Sequence, residues 1–243
     1  MKELKYYGTH ACQALWQTRP KDIIRVYLDE SHVKGFGPLL KWCAKEKKAY
    51  HIVPVAELQK ITDSVHHEGI CILARELLPL SEKEFLDSLT SSPECLLYLD
   101  GVQNPHNLGS ILRTSAHFGI RYILGDRLPS LSAAACRVAK GGAEVVRLVA
   151  LARPFETFRR LQQAGFELIG TSSHRGTSLH AFRFPQRSIL AIGSESEGVA
   201  QSLLKQAAHA ICIPGTDAVE SLNVAVATGL CIGEYCRQFE SRR

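Results

Sequence analysis

The 243-residue chain has no Cys-x-x-Cys pair, although it holds eight cysteines and ten histidines. The cysteines stand apart, mostly among apolar neighbours, at positions 12, 43, 71, 95, 136, 212, 231 and 236. This scatter is untypical of a zinc site or of a small disulfide framework. We therefore predict buried, reduced thiols and expect no metal site.

Long apolar runs are also missing. No segment approaches the roughly 18 apolar residues that a helix needs to span a bilayer. The first ten residues, MKELKYYGTH, lack the apolar core of a signal peptide. A cytoplasmic protein with no membrane partner is expected, and its 45% apolar residues suffice for one large domain or two modest ones.

The basic residues change in kind along the chain. Residues 1–76 contain nine Lys and three Arg, whereas residues 77–243 contain three Lys and fourteen Arg. Arginine binds phosphate bidentately and stacks on bases, which suits an RNA partner. The net charge of +5 indicates little by itself, because many proteins without nucleic-acid ligands reach it.

Two blocks of hydrophobic pattern are separated by a polar stretch, residues 77–94, in which Ser81 and Glu84 form a capping-box pair. The first block, residues 1–76, predicts a small α/β sandwich. The second, residues 95–243, alternates apolar strands with helices, which is typical of a parallel sheet covered on both faces. Predicted helices cover 9–16, 36–48, 56–62, 108–118, 131–140, 155–164, a short segment near 203, and the last helix to about 239. Predicted strands cover 23–29, 50–55, 69–75, 95–100, 121–125, 144–150, 166–172, 188–193 and 210–214.

Polar residues collect at the ends of three of these strands, where ligands of parallel sheets bind. In NPHNLGSILRTSAHFG, Asn107 is placed to cap a helix, and Arg113 is either a surface charge or a neighbour of the buried face. The second stretch is IGSESEG. The third, IPGTDAVESLNVAVATG, carries Glu220, Ser221 and Asn223, which either cap the last helix or serve a small-molecule site.

Together, in this order, the three stretches resemble the motifs of the SpoU (TrmH-like) RNA ribose 2'-O-methyltransferases of the SPOUT superfamily. The resemblance covers residues 95–240. In the first block, YYGTHACQAL and HHEGICILA resemble the small substrate-binding domain, similar to a ribosomal protein, that many of these enzymes carry. The resemblance implies a deep trefoil knot in the C-terminal domain, S-adenosylmethionine (AdoMet) as cofactor, a structured rRNA or tRNA as partner, and a homodimer formed through the knotted domain.

The resemblance also implies roles for particular residues. The family's catalytic arginine falls on Arg113, and the motif residues expected around it are Asn107, Glu195, Ser221 and Asn223. Cofactor binding is expected from the second and third motifs, largely through backbone groups, at Gly193, Ser194, Glu195, Ile213, Ser221, Leu222 and Val224.

The chain departs from the family pattern at several positions. Ser196 stands where glycine is usual, Gly215 and Asp217 replace the usual Met and Gly, and Glu68 stands where Gln is common. A side chain at 196 or a carboxylate at 217 would narrow the pocket or alter cofactor affinity. None of these departures removes a residue assigned to chemistry.

Two other interpretations stay open at this point. One is an RNA-binding or ribosome-assembly protein that keeps the fold but has lost catalysis, and the departures at 196, 215 and 217 are its only support. The other is a dinucleotide-dependent oxidoreductase. The lack of a Gly-rich fingerprint after the first strand of the second block argues against it.

Overall fold

The computed structural model describes residues 2–173, 175–216 and 218–239. Asp217, one of the departures from the family pattern, lies outside the described residues. The chain divides into two compact units: residues 1–77 with 131–145, and residues 78–130 with 146–243.

The first unit contains a sheet of four strands: β1 (Glu3–Tyr7), β2 (Ile23–Leu28), β3 (Ala49–Ile52) and β4 (Ile70–Arg75). Their order is β1-β4-β2-β3, with β4 antiparallel to both its neighbours and β2 parallel to β3. The helices are α1 (Thr9–Thr18), α2 (Gly37–Lys45) and α3 (Val55–Thr62). This is the small α/β domain that the sequence predicts, with β1 as an additional strand that the pattern did not show.

Two short helices from the middle of the chain, α6 (Ala133–Ala139) and α7 (Gly142–Val145), also belong to the first unit and pack against α1. A bidentate ion pair fixes α7, in which Arg19 Nε and Nη2 donate to the Glu144 carboxylate at 2.7 and 3.0 Å. Both side chains are almost fully buried. The predicted strand over 144–150 is therefore wrong at its start, because residues 144 and 145 are helical.

The second unit is built on an eight-stranded sheet, whose paired strands run parallel in every pairing found among the described residues. Its strands are β5 (Leu80–Ser81), β6 (Glu94–Asp100), β7 (Tyr122–Gly125), β8 (Arg147–Ala150), β9 (Glu167–Thr171), β10 (Thr177–Ser178), β11 (Arg187–Gly193) and β12 (His209–Cys212). The order is β10-β12-β9-β11-β6-β7-β8-β5. The parallel-sheet prediction is confirmed; the knot stays a prediction.

The helices of the second unit are α4 (Glu82–Asp87), α5 (Pro105–His117), α8 (Pro154–Gln163), α9 (Gln201–Leu204) and α10 (Val224–Phe239). The capping box of Ser81 and Glu84 opens α4 as predicted. The strands β6 and β11 are the central pair, and their residues are almost all buried, as expected for strands with helices on both faces. No helix among the described residues is long and apolar enough to cross a membrane.

Candidate active site

Three polar side chains from distant parts of the sequence meet at the carboxyl ends of the central strands. Asn223 Nδ2 donates to Glu195 Oε1 at 2.7 Å and to Asn107 Oδ1 at 3.1 Å. Asn107 Nδ2 donates to the same Glu195 oxygen at 3.2 Å. We refer to Asn107, Glu195 and Asn223 as the polar cluster.

The first helix turn of α5 positions Asn107, but not as the sequence suggested. The residue that caps α5 is Asn104, whose Oδ1 accepts from the His106 backbone N–H at 2.8 Å. Asn107 is the third residue of the helix, so capping does not occupy its side chain. The expectation that Asn107 is the cap is wrong, because Pro105 begins the helix one turn earlier than the apolar pattern indicated.

Asn223 caps α10, one of the two roles that the sequence left open, and also takes part in the polar cluster. Its Oδ1 accepts from the backbone N–H groups of Ala225 and Val226 at 3.0 and 3.4 Å, so the side chain caps α10. Its Nδ2 is still free to hold Glu195 and Asn107. The Glu195 carboxylate is thus bonded to side chains at the N-terminal ends of α5 and α10, where the helix dipoles favour a negative charge. Its second oxygen, Oε2, has no hydrogen-bond partner among the described residues.

A tight loop presents Glu195. Ser194 and Gly198 bridge the loop, and the Gly198 N–H donates to the Ser194 carbonyl at 2.9 Å. The Ser194 hydroxyl accepts from the Glu197 N–H at 3.2 Å. At Gly193 the backbone of Gly198 crosses so closely that an added Cβ would lie 1.9 Å from a carbonyl carbon. The close approach that requires this glycine is therefore made by the protein's own chain.

Ser196 follows Glu195 without backbone strain. It is not among the non-glycine residues with positive φ, which are Lys47, Asp63, Glu68 and Lys140. Its position therefore does not need the glycine that the family usually has. Gly215 likewise has no atom within 4 Å of an added Cβ. These departures leave the local backbone undistorted.

Arg113 lies on α5 with Leu112 buried beside it, but its own side chain is exposed. Among the described residues its guanidinium forms no hydrogen bond or ion pair, and Ser221 is exposed in the same way. The structure therefore joins Asn107, Glu195 and Asn223 by hydrogen bonds and leaves Arg113 and Ser221 available to a ligand.

The expected cofactor residues fall into two groups. The first group is engaged within the chain: the Ser194 hydroxyl accepts a hydrogen bond inside its own loop, and Val224, the first residue of α10, is buried. The second group is accessible: Ile213, which directly follows β12, is half-buried, and Leu222 is 43% exposed.

Some residues to which the motifs assign no role also lie at this end of the sheet. Asp100, the last residue of β6, accepts from the Ala200 N–H at 2.8 Å and so anchors the chain that leaves the loop. Gln103, Arg127 and Glu197 line a cleft beside the cluster. The only signal in the sequence for the first two is that each closely follows a predicted strand.

The fold and the cluster define an α/β protein that presents polar side chains to a ligand at the carboxyl edge of a parallel sheet. Solved structures of this fold include the SpoU methyltransferase AviRb from Streptomyces viridochromogenes in complex with AdoMet. It is 18% identical, has a TM-score of 0.79, and the match covers 98% of this chain and 91% of that one.

Sequence comparison identifies the family. The profile of the SpoU rRNA Methylase family matches residues 94–233, and that of RNA 2'-O ribose methyltransferase substrate binding matches residues 6–79. The chain is 36% identical over 238 residues to an uncharacterized tRNA/rRNA methyltransferase, YfiF, of Escherichia coli O157:H7, covering 98% of this chain and 69% of that protein. It is 32% identical over 236 residues to the 23S rRNA (guanosine-2'-O-)-methyltransferase RlmB of Escherichia coli K12, covering 96% and 97%. The chain belongs to the SpoU rRNA Methylase family, and the resemblance noted in the sequence is confirmed.

Proposed function

We propose that this protein transfers a methyl group from AdoMet to a ribose 2'-hydroxyl of a structured RNA, either rRNA or tRNA. The observation that carries this proposal is the polar cluster, which brings together residues from all three family motifs at the ligand-binding edge of the sheet. The relatives named as RNA methyltransferases, RlmB among them, support the same activity.

The segment that follows β12 fits AdoMet as a ligand. The backbone groups of Ile213, Gly215 and Thr216 form no backbone hydrogen bonds with other described residues. They are thus free for the polar groups of a nucleoside, and the space around Gly215 is open. We infer that Ile213, Leu222 and the loop after Gly193 hold AdoMet, which supplies an electrophilic methyl group when bound.

Arg113 is the residue we assign to the acceptor hydroxyl. A guanidinium stays charged far above neutral pH and is a poor proton acceptor. Its five N–H groups can instead stabilise the negative charge that develops on the 2'-oxygen. A neighbouring phosphate or hydroxyl then takes the proton of the 2'-hydroxyl. The polar cluster holds Asn107 in the first turn of α5, and Arg113 lies further along the same helix.

Replacing Arg113 tests this assignment. Arg113→Ala should lower methyl transfer by about 100-fold or more, the usual cost of removing a charge-stabilising donor. AdoMet affinity, measured by calorimetry, should stay within about twofold. Arg153→Ala, at an exposed arginine of the same unit that pairs with Glu156, is the matched control. Undiminished transfer by Arg113→Ala would contradict the role of Arg113.

AdoMet binding also separates the proposal from the inactive alternative. A protein that keeps the fold only to bind RNA need not bind AdoMet. Calorimetry that detects no AdoMet binding by the wild-type protein at high micromolar ligand would favour that alternative.

We also propose a homodimer formed through the second unit. The last helix carries apolar residues nearly all round, which predicts burial either in the chain's own core or against a second subunit. In the single chain one face of α10 is exposed, with Val226 52% and Leu230 44% accessible. An exposed apolar stripe along a helix is typical of a surface that another chain covers.

A further inference from the structure

One face of the four-stranded sheet in the first unit carries both aromatic rings and cations. Side chains alternate along a strand, and residues paired across strands share a face. Tyr27 of β2 is paired with His51 of β3, and Arg25, two residues before Tyr27, lies on the same face. Lys5 of β1 lies there too, because Lys5 and Arg25 are both paired with Leu73 of β4. We refer to Lys5, Arg25, Tyr27 and His51 as the strip.

A helix covers only part of this face. At one end α3 packs over the sheet, and Tyr27 lies against the core cluster that contains Leu58 of that helix. Tyr27 is therefore half-buried, whereas the other three residues of the strip are exposed in the chain. The strip is thus anchored in the core at Tyr27 and open to a ligand beyond it.

The two rings of the strip are stacked. The ring planes of Tyr27 and His51 are 22° apart, and their centroids are 5.5 Å apart. Because Tyr27 packs against the core, it can hold the plane of the His51 ring. The strand order ends at β3, so the side of the His51 ring that faces away from Tyr27 has no further strand beside it. A flat ring can therefore extend the stack on that outer side of His51.

The guanidinium of Arg25 lies next to the stack. Its Nη1 donates to the Tyr27 hydroxyl at 3.2 Å. Among the described residues Arg25 forms no ion pair, and its other N–H groups form no hydrogen bond. They are available to a phosphate group, which arginine binds bidentately.

Positive charge is in excess around the strip. Lys48 Nζ donates to the carbonyl of Ile23 at 2.6 Å, which places the turn between α2 and β3 beside the start of β2. Residues 45–48 of this turn include three lysines and one carboxylate, Glu46. The strip itself has two cations, and the carboxylate whose charge acts on its arginine is Glu3. An excess of positive charge beside exposed rings attracts a polyanion that also carries flat groups.

We propose that the strip binds an unpaired segment of the substrate RNA, with one base stacked on His51 and an adjoining phosphate bound by Arg25. Proteins bind unpaired RNA by stacking its bases on aromatic side chains and by binding its backbone with cations. A base within a duplex is already stacked between its neighbours and cannot reach His51. This inference rests on the proposed function for RNA as the partner, and it adds the surface and the unpaired form that this surface recognises.

The test measures the binding of two fluorescein-labelled probes to the full-length protein by fluorescence anisotropy. One is an oligouridine of about 12 nucleotides, within the site sizes of single-strand binders, and the other is an RNA duplex of about the same length. His51→Ala should weaken oligouridine binding about fivefold or more, as expected when one base no longer stacks. Its affinity for the duplex should stay within about twofold of wild type.

Two further variants separate the ring of His51 from its charge. His51→Phe keeps a flat ring and should bind oligouridine like wild type. His51→Lys keeps a cation without a ring and should bind as weakly as His51→Ala. His66→Ala, at an exposed histidine of the same unit, is the control for the loss of an imidazole and should bind both probes like wild type.

The salt dependence tests Arg25. Arg25→Ala should weaken oligouridine binding and reduce the slope of log affinity against log salt concentration by about 0.7, as expected for one lost phosphate contact on a single strand. His51→Ala should leave this slope unchanged. Arg153→Ala, at an exposed arginine of the second unit, is the control and should change neither the affinity nor the slope.

Three results would overturn the inference: a wild-type protein that does not bind oligouridine, a His51→Ala variant that binds it as tightly as wild type, or an equal loss in His51→Ala and His66→Ala. Methyl transfer by the same preparations separates this inference from the proposed function. Transfer by wild type together with unchanged oligouridine binding by His51→Ala would refute the inference alone. Oligouridine binding that depends on His51, without methyl transfer to any RNA, would refute the proposed function alone.

Discussion

At the scale of single residues, a side chain at one helix end serves two purposes. Asn223 caps α10 with its oxygen and holds Glu195 and Asn107 with its nitrogen. The sequence could predict that Asn223 matters, because the motif is recognisable. It could not predict the Asn223–Asn107 contact, which joins residues 116 positions apart.

Glu68 is a second residue whose role the structure defines. The motif comparison treated it as a charge in place of the usual Gln. In the structure its Oε2 accepts from the Thr9 N–H at 3.0 Å and from the Thr9 hydroxyl at 2.9 Å, at the start of α1. Partial burial opposes ionisation, but these hydrogen bonds and the positive charges of Arg137 and Lys140 outweigh it and lower the pKa of Glu68.

A carboxyl group whose pKa is lower in the folded state stabilises the protein at pH values above its unfolded pKa, about 4.5. That contribution disappears as the pH falls through the folded value. We therefore expect wild-type protein to melt at a higher temperature than Glu68→Gln at neutral pH. The difference should shrink when thermal melts are repeated below about pH 4.

Glu57→Gln is the control for Glu68, because Glu57 is exposed and accepts no hydrogen bond among the described residues. It should change the melting temperature little across the same pH range. A constant difference between wild type and Glu68→Gln at every pH would show that the ionised carboxylate is not what stabilises α1.

At the scale of helices and strands, the spacing of apolar and polar residues predicted most elements, because long buried strands and amphipathic helices each leave a clear periodicity in the sequence. It missed β1, β5 and β10. Two of these have only two residues, and β1 (Glu3–Tyr7) is an edge strand with its first three residues exposed or half-buried. It also could not show that α6 and α7 belong to the first unit, since that grouping depends on long-range packing of α6 against β1 and of both helices against α1.

The helices α5 and α10 pack against each other within the chain. Added Cβ atoms on Gly229 and Gly233 would lie 3.5 and 3.6 Å from Thr114 and Phe118 of α5. The side of α10 that carries these glycines therefore faces α5, and this face of α10 is buried within the chain. Its other face, with Val226 and Leu230, is the surface we assign to the second subunit.

A charged side chain on the exposed face of α10 should prevent dimer formation. Leu230→Glu should convert a dimer into a monomer in sedimentation equilibrium at micromolar concentration, because association would bury an unpaired carboxylate. Leu78→Glu, at a leucine that is 65% exposed outside this helix, should leave the dimer intact. A wild-type protein that sediments as a monomer would contradict the proposed subunit interface itself.

At the scale of the whole molecule, two family profiles match in succession, over residues 6–79 and 94–233, and residues 131–145 of the first unit fall within the second profile. The motifs predicted the family, and the alternation of apolar strands with helices predicted the α/β class. They assigned no role to Gln103 and Arg127, which lie outside the three motifs and become neighbours of the second motif only when three separate strands end side by side. Recognition of an RNA by its shape would likewise leave little trace in a single sequence.

The central claim is that this protein methylates a ribose 2'-hydroxyl of RNA. The most direct measurement is the position of the labelled methyl group after reaction of the wild-type protein with AdoMet and RNA from cells that lack it. A methylated 2'-hydroxyl protects the following phosphodiester bond from alkaline hydrolysis. We predict that the label survives in alkali-resistant dinucleotides at a defined site in an rRNA or tRNA. Label on a base, with every labelled position open to alkaline cleavage, would contradict the account.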